Sequence, residues 1–392
     1  MRRGAERICT DLKGEGFDAY LVGGSVRDRL LGRPVHEYDI ATEATPDQVQ
    51  KIFRRTHPVG AQFGVVIVVV DEGEYEVATF RAETSYSDGR RPDSVRFTSA
   101  REDVLRRDFT INGLLEDHET GEIRDFVHGE RDLAARVIRA IGNPRERFAE
   151  DHLRVLRAIR FAAVLRFDIE AETFNAILEM APRVTSVSVE RIYKELSRAF
   201  TEGDPARAYT LLALSGVLSH VLPEALWLGA NVAATLQQLG KAPFAAMLAA
   251  VLGDTTPEAA AAVAARLKAS RADRDLLLYL VEGRKHAATV EGLANQVRCV
   301  REDRWPILHR LLVAERRASG ADPAPIDALD ELRRTVPPER LFPPRLLTGN
   351  DLMALGLKPG PRFKQLLHDL EDAQIEGEVA TRDQAEAFVA SH

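Results

Sequence analysis

Short apolar runs separated by glycine turns occupy the first third of the chain, and apolar residues at helical spacing occupy the remainder. Tyr20-Leu21-Val22 reads as a strand entering a Gly23-Gly24 turn, Val26 to Leu31 as a helix that Gly32 ends, and Glu37 to Ala41 as a second short strand. Val65-Val66-Ile67-Val68-Val69-Val70 has the unbroken apolar character of a buried strand, and Glu74 to Phe80 alternates as its hairpin partner across Asp71-Glu72-Gly73. These runs predict one mixed sheet with helices on one side. From residue 136 onward the pattern is helical, over 147–166, 171–182, 188–202 and 204–218, with Ser188 as a cap for the third of these. Residues 219–340 are helical and rich in alanine, stretches at 318–326 and 336–345 read as linkers, and the last segment reads as a small helical tail. The fold class is therefore α+β, a mixed β-sheet with helices followed by an all-α remainder.

Composition narrows the setting. A chain of 392 residues has room for two to four domains with their own cores. Cys9 and Cys299 are its only cysteines and form no CxxC pair, which argues against a disulfide framework or a zinc site and fits a reducing, cytoplasmic compartment. No apolar stretch reaches the length of a membrane span, because the Ala-rich run at 242–265 is broken by Asp254, Thr255 and Pro257. Arg2-Arg3 is followed by no apolar segment of the kind a signal peptide needs. The net charge of −7 suits a nucleic-acid partner only if arginines gather on one face, since phosphate contacts are local.

The candidate chemistry starts at Gly23-Gly24-Ser25-Val26-Arg27-Asp28. Glycines let backbone N–H groups approach a phosphate chain closely, and a guanidinium is a strong partner for it. Arg27 also has Asp28 beside it, so a helix-surface ion pair is the competing reading. Glu37 and Asp39 have one residue between them and would share one face of a strand, able to hold the same metal ions. Glu76 opens the Glu-Val-Ala-Thr-Phe-Arg strand and is either a third acidic ligand or a solvated strand residue. Together these pieces describe a metal-dependent nucleotidyl-transfer site.

Five motifs in order carry a resemblance that covers about residues 19–200 densely and returns near 345. They are Gly23-Gly24-Ser25-Val26-Arg27-Asp28 with Glu37-Tyr38-Asp39, Glu76-Val77-Ala78-Thr79-Phe80-Arg81, Arg106-Arg107-Asp108-Phe109-Thr110-Ile111-Asn112, Glu150-Asp151-His152-Leu153-Arg154, and Thr348-Gly349-Asn350-Asp351-Leu352. The chain resembles the class II (bacterial-type) tRNA nucleotidyltransferases and poly(A) polymerases, most closely the branch that adds CCA. The resemblance implies a nucleotidyltransferase head at 1–135, a helical neck at 136–218 that selects the base, a helical body at 219–340 and a helical tail at 341–392 that grip tRNA. It implies CTP and ATP as substrates, two Mg²⁺ ions as cofactors, tRNA as partner and no obligatory protein partner. Glu37 and Asp39 would be the metal ligands, with Glu76 a further catalytic carboxylate. Gly24, Arg27, Arg107, Asp108 and Asn112 would bind the nucleotide, Asn112 bracing Asp108, while Arg106 is its solvated neighbour.

Asp151 and Arg154, three apart, would sit on one helix face and present an acceptor beside a fork of donors, with Arg157 and Arg160 continuing toward the phosphates. The competing reading of this segment is a salt-bridged surface helix. The family usually has aspartate where Glu37 stands, so the reach of that ligand differs, and a catalytically weakened RNA-binding homologue is the corresponding alternative. The polar, arginine-rich stretch 82–97 matches the loop that switches the family from C to A addition. Gly253 stands where relatives carry the histidine of a hydrolytic His-Asp pair, so no second metal centre is expected there. A poly(A) polymerase or an A-adding enzyme is the rival within the family. The acidic tail, with Glu376, Glu378, Asp383 and Glu386, and the segment Val59 to Gly64 favour the tRNA-specific branch.

Overall fold

A seven-stranded mixed sheet organises the first part of the chain in the computed structural model, which describes residues 1–57, 64–83, 95–225 and 231–392. Segment 59–63 and most of the loop 82–97 lie outside the described residues. The strands are β1 (Ala19–Val22), β2 (Asp39–Thr42), β3 (Thr56–His57), β4 (Val65–Val70), β5 (Gly73–Thr79), β6 (Arg81–Glu83), β7 (Val95–Phe97), β8 (Leu114–Glu116) and β9 (Ile123–Asp125). Seven of them form the sheet in the order β3-β4-β5-β2-β1-β8-β9, and β6 pairs separately with β7. β2 and β5 run parallel, whereas the other neighbours in the sheet are antiparallel. The expected β4–β5 hairpin is present, with Val70 opposite Gly73.

All four residues of β1 are buried, so the centre of the sheet is covered on both faces and not on one as the pattern suggested. Tyr20 and Val22 share a cluster with Ala41, Phe80, Val104 and Leu115. Each large apolar side chain removed from water there contributes roughly 1.5–3 kcal/mol. Helix α1 (Arg2–Gly14) packs on β1 and β2. Its Gly4 allows the approach of Tyr75, since a Cβ there would lie 2.3 Å from the hydroxyl, which donates to the Met1 carbonyl at 2.6 Å.

Three further short helices complete the head: α2 (Gly24–Leu30), α3 (Pro46–Ile52) and α4 (Ala100–Leu105). After α5 (Gly129–Ala135) the chain becomes mainly helical, with α6 (Pro144–Glu150), α7 (Leu153–Leu165), α8 (Ala171–Met180) and α9 (Val189–Thr201). The continuous helix expected over 147–166 is two helices. Asp151 takes an extended conformation, φ −146° and ψ 104°, and its Oδ1 accepts the Leu153 N–H at 3.0 Å. That carboxylate satisfies an otherwise orphaned donor at the start of α7, which is why the break falls there. α7 is buried along most of its length and packs on α9.

Residues Met1–Pro223 form one compact unit and Glu224–His392 a second. The second unit is helical among the described residues, and among the described residues no helix is long and apolar enough to cross a membrane. Its Phe244–Leu252 helix is buried at every position. The Arg284 guanidinium donates to the carbonyls of Ala249, at 3.0 Å, and Gly253, and pairs with Glu315 at 2.6 Å. It thereby caps a helix C-terminus where carbonyls lack partners. Within the expected linkers, prolines open helices instead, at Ala324–Thr335 and Pro338–Leu341. The tail has its own core of Leu347, Leu352, Leu370, Ala373, Val379, Ala385 and Val389.

Candidate active site

A cavity of about 1200 Å³ opens between the sheet face and the helices that follow it, and all the nucleotide- and metal-binding residues expected from the sequence line it: Gly24, Arg27, Glu37, Asp39, Glu76, Arg107, Asp108, Asn112, Asp151, Arg154, Arg157 and Arg160. They come from five stretches of the chain, so the site exists only once the first compact unit has folded.

Gly23 supplies the turn between β1 and α2. Its φ of 69° lies in the left-handed region that favours glycine, and a Cβ there would come 3.5 Å from Arg107 Nη1 and 4.0 Å from Asp39 Oδ2. The two glycines thus have different uses: Gly23 bends the chain, and Gly24 begins α2.

The acidic wall is arranged by strand register. The parallel pairing of Ile40 with Val77 sets Asp39, the first residue of β2, beside Glu76 on the same sheet face. Glu37 precedes β2 instead of belonging to it, so the shared-strand argument fails for that residue; the cavity brings it to the same wall. The surrounding protein pushes the Asp39 carboxyl up to about 6, Glu76 and Glu37 add to the rise, and Arg107 opposes it. Among the described residues no hydrogen bond or ion pair ties down Glu37, Asp39 or Glu76. The three do not bring an oxygen each within 4.8 Å of both others; among the described residues only His368, Asp369 and Asp372 form such a trio. Three carboxylates lining one cavity without a hydrogen bond or ion pair to hold them, among the described residues, are a donor set that fits a hard divalent cation such as Mg²⁺.

Lining the same cavity is a hydrogen-bonded chain of side chains. Arg27 Nη1 donates to Asn112 Oδ1 at 2.7 Å, Asn112 Nδ2 donates to Asp108 Oδ1 at 3.1 Å, and Arg157 Nε donates to Asp108 Oδ2 at 2.8 Å. Asn112 does brace Asp108, from a 3₁₀ turn at Thr110–Asn112. The backbone holds this strip in place through Ile141 N–H to the Asp108 carbonyl at 3.1 Å and Thr110 N–H to the Arg139 carbonyl at 3.0 Å. Burial raises the Asp108 carboxyl, but Arg157 and Asn112 outweigh it and hold it down at about 2. Arg27 forms the ion pair with Asp28 that was its competing reading, through Nε at 3.0 Å and Nη2 at 2.9 Å. Three of its five N–H groups are thereby used, which leaves two for a ligand.

The pair expected to select the base, Asp151 and Arg154, is arranged differently from expectation. Asp151 lies outside the helix that carries Arg154, so the two do not share a helix face. Asp151 Oδ2 accepts from Arg191 at 2.7 Å, while Arg154 donates to Glu150 and to the carbonyls of Arg147, at 2.9 Å, and Arg106, at 3.0 Å. Arg160 does not run free toward phosphate either: it is buried against Glu195 at 2.6 Å. Arg106 is no solvated neighbour, because Asp103 joins it at 2.6 Å and Arg107 at 3.0 Å. Burial raises the Asp103 carboxyl, and the two arginines more than reverse this. Sequence reading passed over Asp103, although an acid three and four positions ahead of two arginines was a signal for it. It also passed over Arg191 and Glu195, whose partners lie 40 and 35 positions away.

Comparison with known proteins shows the family to which the chain belongs. Residues 19–139 match the family described as the poly A polymerase head domain, and residues 166–228 match one described as the probable RNA and SrmB-binding site of polymerase A. A CCA-adding enzyme of Streptococcus gordonii is 37% identical over 384 residues, 94% of this chain and 92% of that protein. One from Enterococcus faecalis is 51% identical over 189 residues, 48% of this chain and 46% of that protein. The crystal structure of the Bacillus stearothermophilus CCA-adding enzyme in complex with CTP aligns with a TM-score of 0.80 at 31% identity, covering 99% of this chain and 96% of that one. The chain belongs to the bacterial-type CCA-adding enzymes of the poly(A) polymerase family, nucleotidyltransferases that use a divalent metal.

Proposed function

We propose that this protein adds C, C and A to the 3′ end of tRNA, taking them from CTP and ATP without a nucleic-acid template and releasing pyrophosphate. The observation that carries this reading is one cavity lined both by Asp39 and Glu76, which the parallel β2–β5 register sets side by side, and by the Arg27–Asn112–Asp108–Arg157 chain. An acidic wall suits cations, and a wall of fixed donors suits a nucleotide.

In this reading Glu37 and Asp39 hold two Mg²⁺ ions, with Glu76 beside them. Bound there, the ions supply activation of the tRNA 3′-hydroxyl and neutralisation of the pyrophosphate leaving group. The Gly24 backbone, Arg27 and Arg107 bind the triphosphate, the guanidiniums matching phosphate oxygens with parallel N–H groups. Asp108, kept ionised by Arg157 and oriented by Asn112, accepts from the ribose hydroxyls. Asp151 and Arg154 read the base edge, one as acceptor and one as donor. That task requires them to present lone pairs and N–H groups not already committed to Arg191, Glu150, Arg147 and Arg106.

The division into a head at 1–135, a neck at 136–218, a body at 219–340 and a tail at 341–392 belongs to the same proposal, with body and tail gripping tRNA in a cytoplasmic setting. The second match, at 166–228, supports an RNA-facing role for the end of the neck. The test is incubation with tRNA ending before CCA, using labelled CTP and ATP separately and together. Incorporation of C from CTP alone and of A only after C supports the reading, and A incorporated without C contradicts it.

A further inference from the structure

Phe161 is an apolar residue in a basic pocket. It sits on α7, is 6% exposed and lines the cavity. Three guanidiniums surround its ring: Arg160 at 4.0 Å from the centroid, Arg27 at 5.1 Å and Arg157 at 5.3 Å. Its ring also meets Phe109 edge-on, with centroids 5.7 Å apart and planes at 80°. Phe109 is fully buried and follows Asp108 directly, so the ring is anchored to the strip that carries the ribose-facing carboxylate.

Each arginine has its own acidic partner: Asp28 for Arg27, Asp108 for Arg157 and Glu195 for Arg160. Those partners hold each guanidinium at its edge and leave its flat face to pack on something else. The ring is a contact shared by all three groups, and its negative π-cloud offsets the repulsion among three like charges. An aliphatic side chain of similar volume would fill the space without that field.

We propose that Phe161 is a positioning residue for the nucleotide triphosphate, a π-surface that holds the Arg27 and Arg157 guanidiniums in register with each other. This rests on the reading that Arg27 binds the triphosphate. Because the triphosphate is common to CTP and ATP, loss of the ring affects both nucleotides alike, unlike loss of a base-reading group. The ring does not touch the reacting atoms, so its loss is seen in binding and not in the chemical step.

The experiment compares wild type, Phe161→Leu and Phe161→Tyr in steady-state CTP and ATP addition. Inorganic tripolyphosphate serves as a competitive probe that has no base, and thermal unfolding and tRNA affinity are measured alongside. With the π-surface gone, Phe161→Leu is expected to raise KM for CTP and ATP together by roughly tenfold. The tripolyphosphate inhibition constant should rise in parallel, while kcat and tRNA affinity stay near wild type. Phe161→Tyr, which keeps the ring, should restore both constants. Wild-type KM values in Phe161→Leu, a loss confined to one nucleotide, or failure of Phe161→Tyr to rescue a folded protein would each overturn the proposal. Should wild type itself incorporate neither CTP nor ATP, the function reading fails instead, and tripolyphosphate binding to the three proteins still decides the role of Phe161.

Discussion

Arg27 and Asn112, 85 positions apart in sequence, are joined by a 2.7 Å hydrogen bond from the guanidinium to the amide oxygen, and the same amide donates onward to Asp108. Asn112 is 7% exposed, so removing its side chain leaves two neighbours with unmet hydrogen-bonding groups in a poorly hydrated place. Asn112→Ala is expected to cost about 1–3 kcal/mol per group left unpaired. It should appear as a higher KM for CTP and ATP in equal measure, and unchanged KM values would separate this amide from nucleotide binding.

Asp39→Ala should abolish incorporation of both C and A while leaving tRNA binding, measured by filter retention, close to wild type. Phosphate contacts elsewhere carry that affinity. Glu37→Asp shortens the side chain to the family's usual length and should keep or raise activity. Near-normal turnover in Asp39→Ala would remove the acidic wall from the mechanism.

The Asp39 carboxyl, raised to about 6, gives the metal dependence a pH signature. Below that value a cation must displace a proton, so the Mg²⁺ concentration for half-maximal rate should rise by roughly tenfold per pH unit as pH falls. Without metal the sign for stability is the reverse of an ordinary carboxylate pair. The ionised form opposes folding above pH 6, and the penalty fades as pH falls toward the unfolded value of 3.8. Asp39→Asn should therefore raise Tm at pH 8 and leave it unchanged at pH 4. Equal Tm differences at the two values would assign the shift to another group.

Asp151→Ala and Arg154→Ala are expected to relax nucleotide choice, with UTP or GTP gaining on CTP and ATP by about the 1–3 kcal/mol of an unpaired buried partner. Arg154→Ala also frees Glu150 and the Arg106 carbonyl, so its thermal stability should drop more than that of Asp151→Ala. A uniform loss of rate with selectivity intact in both variants would make the pair a structural joint.

How much of this site was legible depends on how far apart the partners lie. The Gly23-Gly24 turn, the strand before it, the β4–β5 hairpin and the acids at Glu37 and Asp39 are local patterns, and the sequence displays them directly. The adjacency of Asp39 and Glu76 depends on β2 pairing parallel with β5, a crossover that no local period encodes. The break at Asp151 was hidden because apolar spacing continues through Leu153 and Leu156; the deciding term was one carboxylate bonding a backbone N–H. Phe161 carries no signal of its own in the sequence, because an apolar helical stripe with Leu156 and Ile159 does not tell which of its members borders a cavity. Arg160 and Arg154 looked like ligand groups, but acids from other parts of the first unit, and carbonyls, had already engaged them.

The most direct test of the account is the length and sequence of what wild-type protein adds to tRNA lacking its 3′ CCA when CTP, ATP and Mg²⁺ are all present. The account predicts growth by C, C and A followed by a stop, with no growth in the Asp39→Ala variant. Long tracts of A on wild-type product, or the same C, C and A product from Asp39→Ala, would contradict it.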